Sequence, residues 1–336
     1  MDNKTVVRFW GVRGSVPAPI TAKEVKAKKI WALQMYLASL KHGKKLMPEE
    51  FIDLEEAFAP STYGGNTSCV EVRYGDQIFV LDMGTGLRPL GNSLFGEMLS
   101  KKGLEVTFFL SHVHWDHIQG LPFFGPLYMN KKASIKNKWN FYGGTNWQKT
   151  AEICLKGQMD PPTFPVSWIE IEKITENIAY DGMYDMKVVR IKDVSVRFGK
   201  LNHPQETYGS RLIFPNGKVV AYTTDNEPYD PLHPDPRLKI LAAGADVWIT
   251  DCQYSKLQYE GTEGGVPRHG WGHSYPEAVA KTAVEADVKH VILFHHDPSS
   301  SDERIKQMEL HTQKLISDMG GKSKVTAAWE GLELMV

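Results

Sequence analysis

Six consecutive residues, His112 to His117, carry three imidazoles and one carboxylate: His112, His114, Asp116 and His117. They follow directly on the apolar, strand-like run from Val106 to Leu110. In an extended chain alternate side chains share a face, so His112 and His114 can converge on one ion where the strand ends. A turn then brings Asp116 and His117 round to face a second ion about 3.5–4 Å away, the usual separation in two-metal hydrolases. Imidazole combined with carboxylate suits Zn²⁺, Mn²⁺ or Fe²⁺ better than Ca²⁺ or Mg²⁺, which prefer all-oxygen shells. The lack of a neighbouring cysteine argues against a closed structural zinc site.

Two ions need more ligands than this motif supplies, since a catalytic zinc keeps about three from the protein. Further candidates stand where other strands end. His203 follows Val194 to Phe198, Asp225 follows Val219 to Thr224, and His295 and His296 follow Val291 to Phe294. Taken singly, a His or Asp at a strand end is an ordinary turn or core residue; together they fill the deficit.

The elements that must position these residues alternate along the chain. Val6 to Trp10, Ser68 to Tyr74, Gln77 to Asp82 and Val106 to Leu110 read as strands, with Gly75-Asp76 a hairpin turn between the second and third. Val188 to Val196, Leu212 to Phe214 and Lys218 to Thr223 read as strands, with Pro215-Asn216-Gly217 turning the chain between the last two. Thr145 to Lys156 reads as a helix, and so does Pro276 to Ala286, with Ser274 as its N-cap. Between Thr21 and His42, Val25, Ile30, Leu33, Leu37 and Leu40 recur at near-helical spacing among lysines. Residues 17–62 are therefore read as a helical insertion in a single domain of residues 1–336. Its roles stay open between packing on the core, capping the site and pairing two copies in a homodimer.

Composition narrows the partners. Lys+Arg 39 against Asp+Glu 40 gives a net charge of −1, without the global basic field that dominates nucleic-acid affinity. No apolar run approaches the roughly 20 residues of a membrane span, and no signal-peptide pattern opens the chain, so a cytoplasmic protein with no membrane partner is expected. Cys69, Cys154 and Cys252 are too few and too far apart for a disulfide framework.

The order His112-x-His114-x-Asp116-His117, then His203, Asp225 and His295, resembles the metallo-β-lactamase superfamily. Gly11-Val12-Arg13-Gly14-Ser15, Gly65-Asn66-Thr67-Ser68-Cys69, Leu81-Asp82-Met83-Gly84-Thr85-Gly86 and Gly272-His273-Ser274 extend the likeness along the chain. Phe141-Tyr142-Gly143-Gly144, the segment from Gly157 to Pro165, and His273-Ser274 make it similar to the phosphodiesterase branch, which includes bacterial cyclic-nucleotide phosphodiesterases and tRNA 3′-end endonucleases. The resemblance implies an α/β fold, a four-layer αββα sandwich with the site at one edge of the paired sheets. It also implies two divalent ions, zinc foremost with manganese or iron as alternatives. His112, His114 and His203 would hold one, Asp116, His117 and His295 the other, and Asp225 would bridge them. His296 is the alternative last ligand, otherwise a supporting or substrate residue. Asp82 would support the ligands, and Asp116 and His273 would be catalytic.

The implied chemistry is attack of a metal-bridging hydroxide on phosphorus, with a 3′,5′-cyclic nucleotide as the expected small substrate and nucleic acid disfavoured. tRNA 3′-end processing, a lactonase or thioesterase activity and a diiron redox role are the alternatives. Asn66, Thr67 and Ser68 offer donors to a phosphate, or serve only the turn they occupy. Arg13 and Arg211 are further phosphate candidates, and His269 and Trp271 flank His273, where an aromatic can stack on a base.

Overall fold

Along Thr5–Gly11 every second residue is buried, the period of a strand with one face on a core. In Glu105–Phe109 and Val219–Thr223 burial is nearly continuous, as expected of interior strands covered on both faces. The computed structural model describes residues 4–336 apart from 44, 57–58, 130–134, 145–153, 155–156, 176 and 231–232.

The strands are β1 Thr5–Gly11, β2 Cys69–Tyr74, β3 Gln77–Leu81, β4 Glu105–Phe109, β5 Lys138–Gly143, β6 Ile178–Gly182, β7 Val188–Ile191, β8 Val194–Lys200, β9 Tyr208–Ile213, β10 Val219–Thr223, β11 Val247–Asp251, β12 His290–Phe294, β13 Lys324–Ala327 and β14 Glu333–Met335. They form two seven-stranded sheets, ordered β14-β1-β2-β3-β4-β5-β6 and β13-β12-β11-β10-β9-β8-β7. Between the sheets lies one apolar layer, to which the first contributes Val7, Phe9, Val70, Phe79 and Phe109, and the second Val196, Phe198, Leu212, Val220, Ile249 and Phe294. On the far side of the first sheet, Leu87, Leu90, Leu94 and Met98 of α3 (Leu87–Lys101) pack with Val80, Val106, Phe108 and Trp139. On the far side of the second, the helices Pro236–Ala242, Pro276–Glu285 and Asp302–Asp318 supply Leu241, Val279, Ala283, Ile305 and Ile316. The result is the four-layer αββα sandwich.

Three local expectations change. The single strand over 188–196 is a hairpin, β7 paired antiparallel with β8 through Ile191↔Val194. Lys192, at φ 54, supplies the left-handed turn that the unbroken apolar alternation hides. The helix Pro276–Glu285 has Tyr275, not Ser274, as its N-cap; the backbone N–H of Ser274 is instead held by Asp251. The helix expected over 145–156 lies, apart from Cys154, outside the described residues.

Residues 17–62 contain α1 (Ala22–Lys41) and α2 (Pro48–Glu56). Thr21 starts α1 with a capping box: its hydroxyl accepts from Glu24 N–H, and the Glu24 carboxylate accepts from Thr21 N–H. No residue of α1 is buried, whereas α2 buries Phe51. Among the described residues no helix is long and apolar enough to cross a membrane.

Candidate metal centre

Strands β4, β8, β10, β11 and β12 all end at one edge of the sandwich, because β10, β11 and β12 run parallel and β8 and β10 each run antiparallel to the intervening β9. Ligands in open α/β sheets gather outside the carboxyl ends of strands. β4 stops at Phe109, and the chain continues extended through His112 and His114; His114 is the N-cap of a single helical turn, Trp115–Ile118. That turn swings Asp116 and His117 into the same space.

The donor atoms fall into two linked groups. His112 Nε2 lies 2.8 Å from His114 Nδ1, which is 3.2 Å from His203 Nε2. Asp225 Oδ2 sits 3.6 Å from His112 Nε2 and 3.9 Å from His203 Nε2. In the second group His295 Nε2 is 3.0 Å from Asp116 Oδ2 and 3.3 Å from His117 Nε2. Asp225 Oδ1 lies 3.3 Å from both His117 Nε2 and His295 Nε2. One carboxylate thus presents one oxygen to each group.

Hydrogen bonds from behind fix the tautomers of two of these residues, as metal-binding imidazoles generally require. His203 Nδ1 donates to the Gly272 carbonyl at 3.1 Å, and His117 Nδ1 donates to Asp82 Oδ2 at 2.7 Å. Nε2 of His203 and of His117 is thereby left facing its group. In the second group the Nε2 atoms of His117 and His295 face the Asp116 and Asp225 carboxylates, and a cation between them would take the place of the imidazole protons that these carboxylates otherwise attract. The donor set therefore fits divalent metal of the imidazole-and-carboxylate kind.

Electrostatics point the same way. Burial pushes His112 well below the usual histidine range, and burial lowers His114 and His203. For His117 burial is outweighed by Asp116, Asp225 and Asp82, which raise it well above that range. His295 is likewise raised to about 9, burial being outweighed chiefly by Asp225. Asp116 and Asp225 stay ionised, since His117 and His295 overcome the effect of burial on both. The neutral first group and the carboxylate-rich second are held apart by Asp225.

The backbone is bent to achieve this. Asp82, Asp225 and His295 have φ of 61°, 57° and 60°, and such left-handed non-glycine residues persist where surrounding structure holds them. Two glycines are required by contact: a Cβ on Gly14 would lie 2.4 Å from the His295 ring, and one on Gly272 would lie 1.9 Å from His203 Nδ1. Next to Gly14, the Ser15 N–H donates to Asp116 Oδ2 at 2.7 Å.

His273 stands beside both groups, its ring 5.5 Å from that of His203 and 5.1 Å from that of His295. Its Nδ1 donates to Asp251 Oδ2 at 2.7 Å, leaving Nε2 to exchange a proton. Asp82 holds His117, and also accepts from the Tyr222 hydroxyl at 2.7 Å and the Ser111 hydroxyl at 2.8 Å.

Other sequence candidates lie elsewhere. His296 turns to the opposite side from His295, with Nε2 on the Ala328 carbonyl and its ring against Tyr63; successive side chains diverge where the strand runs out. Asn66 is bound through its amide to Glu330. Thr67 and Thr85 exchange backbone-to-hydroxyl bonds, and Ser68 is buried, so this segment serves its turn and offers no hydroxyl to a substrate. Arg13 spends its guanidinium on the carbonyls of Gly64, Asp297 and Ser300, and Arg211 on that of Leu241. His269 packs on Tyr259, while Trp271 leans on Tyr254 and stays half exposed.

Sequence reasoning passed over Asp251 and Glu227. Asp251 ends the apolar run of β11 as Asp225 follows that of β10, and the same strand-end pattern would have found it. Glu227 is buried and accepts from the Tyr259 hydroxyl and from Gly270 and Gly272 N–H. It holds down the glycine-rich loop that carries Trp271 and His273.

A family model described as a β-lactamase superfamily domain matches residues 102–296. The chain is 30% identical over 200 residues to ribonuclease BN of Proteus mirabilis, covering 56% of this chain and 59% of that protein. The match thus spans less than two thirds of that relative's length. In three dimensions the chain resembles unliganded yeast PDE1, with a TM-score of 0.63 at 12% identity over 99% of this chain and 100% of that one. The short form of human tRNase Z gives a TM-score of 0.53 at 16% identity, covering 98% of both chains.

Proposed function

The chain belongs to the metallo-β-lactamase superfamily, and from that premise we propose that it is a metal-dependent hydrolase acting on phosphodiesters. The single observation that carries this reading is the Asp225 carboxylate, with one oxygen facing the His112, His114 and His203 nitrogens and the other facing His117 and His295. His112, His114 and His203 would hold one divalent ion and Asp116, His117 and His295 the other, with Asp225 shared. When bound, such ions lower the pKa of water from about 15.7 towards about 7 and neutralise charge on a phosphoryl group.

The chain's own groups complete the chemistry. Asp116, oriented by the Ser15 N–H, positions the attacking water and takes its proton. His273, held by Asp251 through Nδ1, delivers a proton from Nε2 to the leaving oxygen. The buried carboxylate of Asp251 fixes the tautomer and orientation of that ring.

Two substrates fit this reading. A 3′,5′-cyclic nucleotide is favoured by the net charge of −1, which gives no long-range attraction for a polyanion. An RNA substrate is favoured by the likeness to the 30% identical relative, ribonuclease BN. Metal-loaded protein assayed against cyclic AMP, cyclic GMP, bis-p-nitrophenyl phosphate, a precursor tRNA and a lactone separates them. Cleavage of the lactone alone would sink phosphodiester hydrolysis, and full activity in Asp116→Ala would sink the mechanism.

A further inference from the structure

The face left unexplained is the α1–α2 hairpin. Ile30, Leu33, Leu37 and Leu40 are spaced three, four and three apart on α1 and are 46%, 61%, 56% and 40% exposed. That is the a/d spacing of a coiled-coil seam, in which such residues insert between those of a facing helix. Trp31, Met35, and Met47, Ile52 and Leu54 on or beside α2 add to the exposed apolar surface. A helix of 20 residues with none buried lacks the tertiary packing that supplies most helical stability in proteins.

Among the described residues Lys28 and Tyr36 tie α1 to the rest of the chain. Lys28 pairs with Asp302 at 2.8 Å, and Tyr36 packs edge-on to Phe51 of α2 at 5.6 Å while its hydroxyl donates to the Leu46 carbonyl. The seam side chains themselves stay 40–61% exposed.

Charge identifies the occupant. The first half of α1 carries Lys23, Lys26, Lys28 and Lys29 against Glu24, whereas α2 carries Glu49, Glu50, Asp53, Glu55 and Glu56 and no basic residue. Among the described residues Lys23, Lys26 and Lys29 form no ion pair within the chain, nor do Glu49, Asp53 and Glu55. α2 packs on the second half of α1, at Tyr36. We propose that this face is the contact between two copies of the chain, with the two α1 helices antiparallel about a two-fold axis. Ile30 then faces Leu40 of the second copy and Leu33 faces Leu37, while the lysine-rich half of each α1 lies beside the acidic α2 of the other. A contact of this isologous kind is self-complementary.

The test is sedimentation velocity of the full chain from low to high micromolar concentration, with far-UV circular dichroism and bound-metal analysis to report folding. The wild type is expected to sediment as a dimer and Leu33→Glu/Leu37→Glu as a monomer with unchanged metal content. Lys23→Glu/Lys26→Glu/Lys29→Glu is expected to be monomeric, and adding Glu49→Lys/Asp53→Lys/Glu55→Lys to restore the dimer, a rescue that misfolding would not give. A monomeric wild type, a dimer that survives both seam substitutions, or a wild-type monomer that sediments with anionic phospholipid vesicles would each overturn the proposal.

Discussion

His273 Nδ1 lies 2.7 Å from Asp251 Oδ2, and both residues are buried. The carboxylate fixes the ring tautomer, so its removal should impair proton delivery more than substrate binding. Asp251→Asn, which preserves shape but presents a donor to the ring, is expected to lower kcat about 10²- to 10⁴-fold with a much smaller change in KM. Steady-state kinetics on bis-p-nitrophenyl phosphate check this. A kcat within twofold of wild type would remove His273 from the chemistry.

The same loop is anchored from its other side by Glu227, whose two oxygens accept from three donors: the Tyr259 hydroxyl and the N–H groups of Gly270 and Gly272. An amide in its place has one acceptor oxygen and adds a donor facing donors. Hydrogen bonds to a charged group contribute about 1.5–3 kcal/mol each, so Glu227→Gln should loosen residues 261–273 and lower Tm. Hydrogen exchange at Gly270 and Gly272 should accelerate while strands β10 and β11 stay protected; uniform acceleration would mean a global loss of stability instead.

Much of the candidate centre was legible in the chain because the His and Asp residues it brings together are local features of strand ends. His112 to His117 are contiguous, and His203, Asp225 and His295 each follow an apolar run that had to stop at the sheet edge. What was not legible depends on register between distant strands. Asp251 stands at a strand end like the others, but its partner His273 lies 22 positions away, and Glu227 meets Gly272 45 away, pairings that no local pattern encodes. Asn66 and Thr67 misled because turn donors look alike whether they face a phosphate or their own loop, and only the pairing with Glu330 and Thr85 decides. For α1 periodicity identified a helix, but a seam facing solvent and one facing a core have the same spacing.

His290 opens β12 away from the metal centre, with Nε2 2.9 Å from the Thr326 hydroxyl. Burial, with Lys324 adding to it, lowers its pKa to about 4. The unfolded chain, with an ordinary value near 6.5, takes up a proton that the native state refuses. Stability is therefore lost as pH falls from about 6.5 to about 4 and this contribution levels off below. Thermal melts across that window should decline less steeply for His290→Gln, which keeps a partner for Thr326 without the titration. Parallel slopes would show that the acid sensitivity lies elsewhere.

Asp82 sits behind the second donor group, accepting from His117 Nδ1, the Tyr222 and Ser111 hydroxyls and the Ser111 N–H. Its own backbone is left-handed at φ 61°, a conformation asparagine also tolerates. Asp82→Asn therefore keeps the turn but turns an amide nitrogen or a weaker acceptor towards His117. Groups that orient a metal-binding histidine are worth about 10- to 100-fold in metal affinity. Competition with a chelator should show that loss, accompanied by a smaller rise in Tm on adding metal, since a metal bound only to the native state stabilises it by an amount that grows with the logarithm of its affinity. Tyr222→Phe removes one of the four bonds to the same carboxylate and should shift affinity in the same direction by less. Unchanged metal affinity in Asp82→Asn would mean that His117 is oriented by its neighbours in the cluster and not from behind.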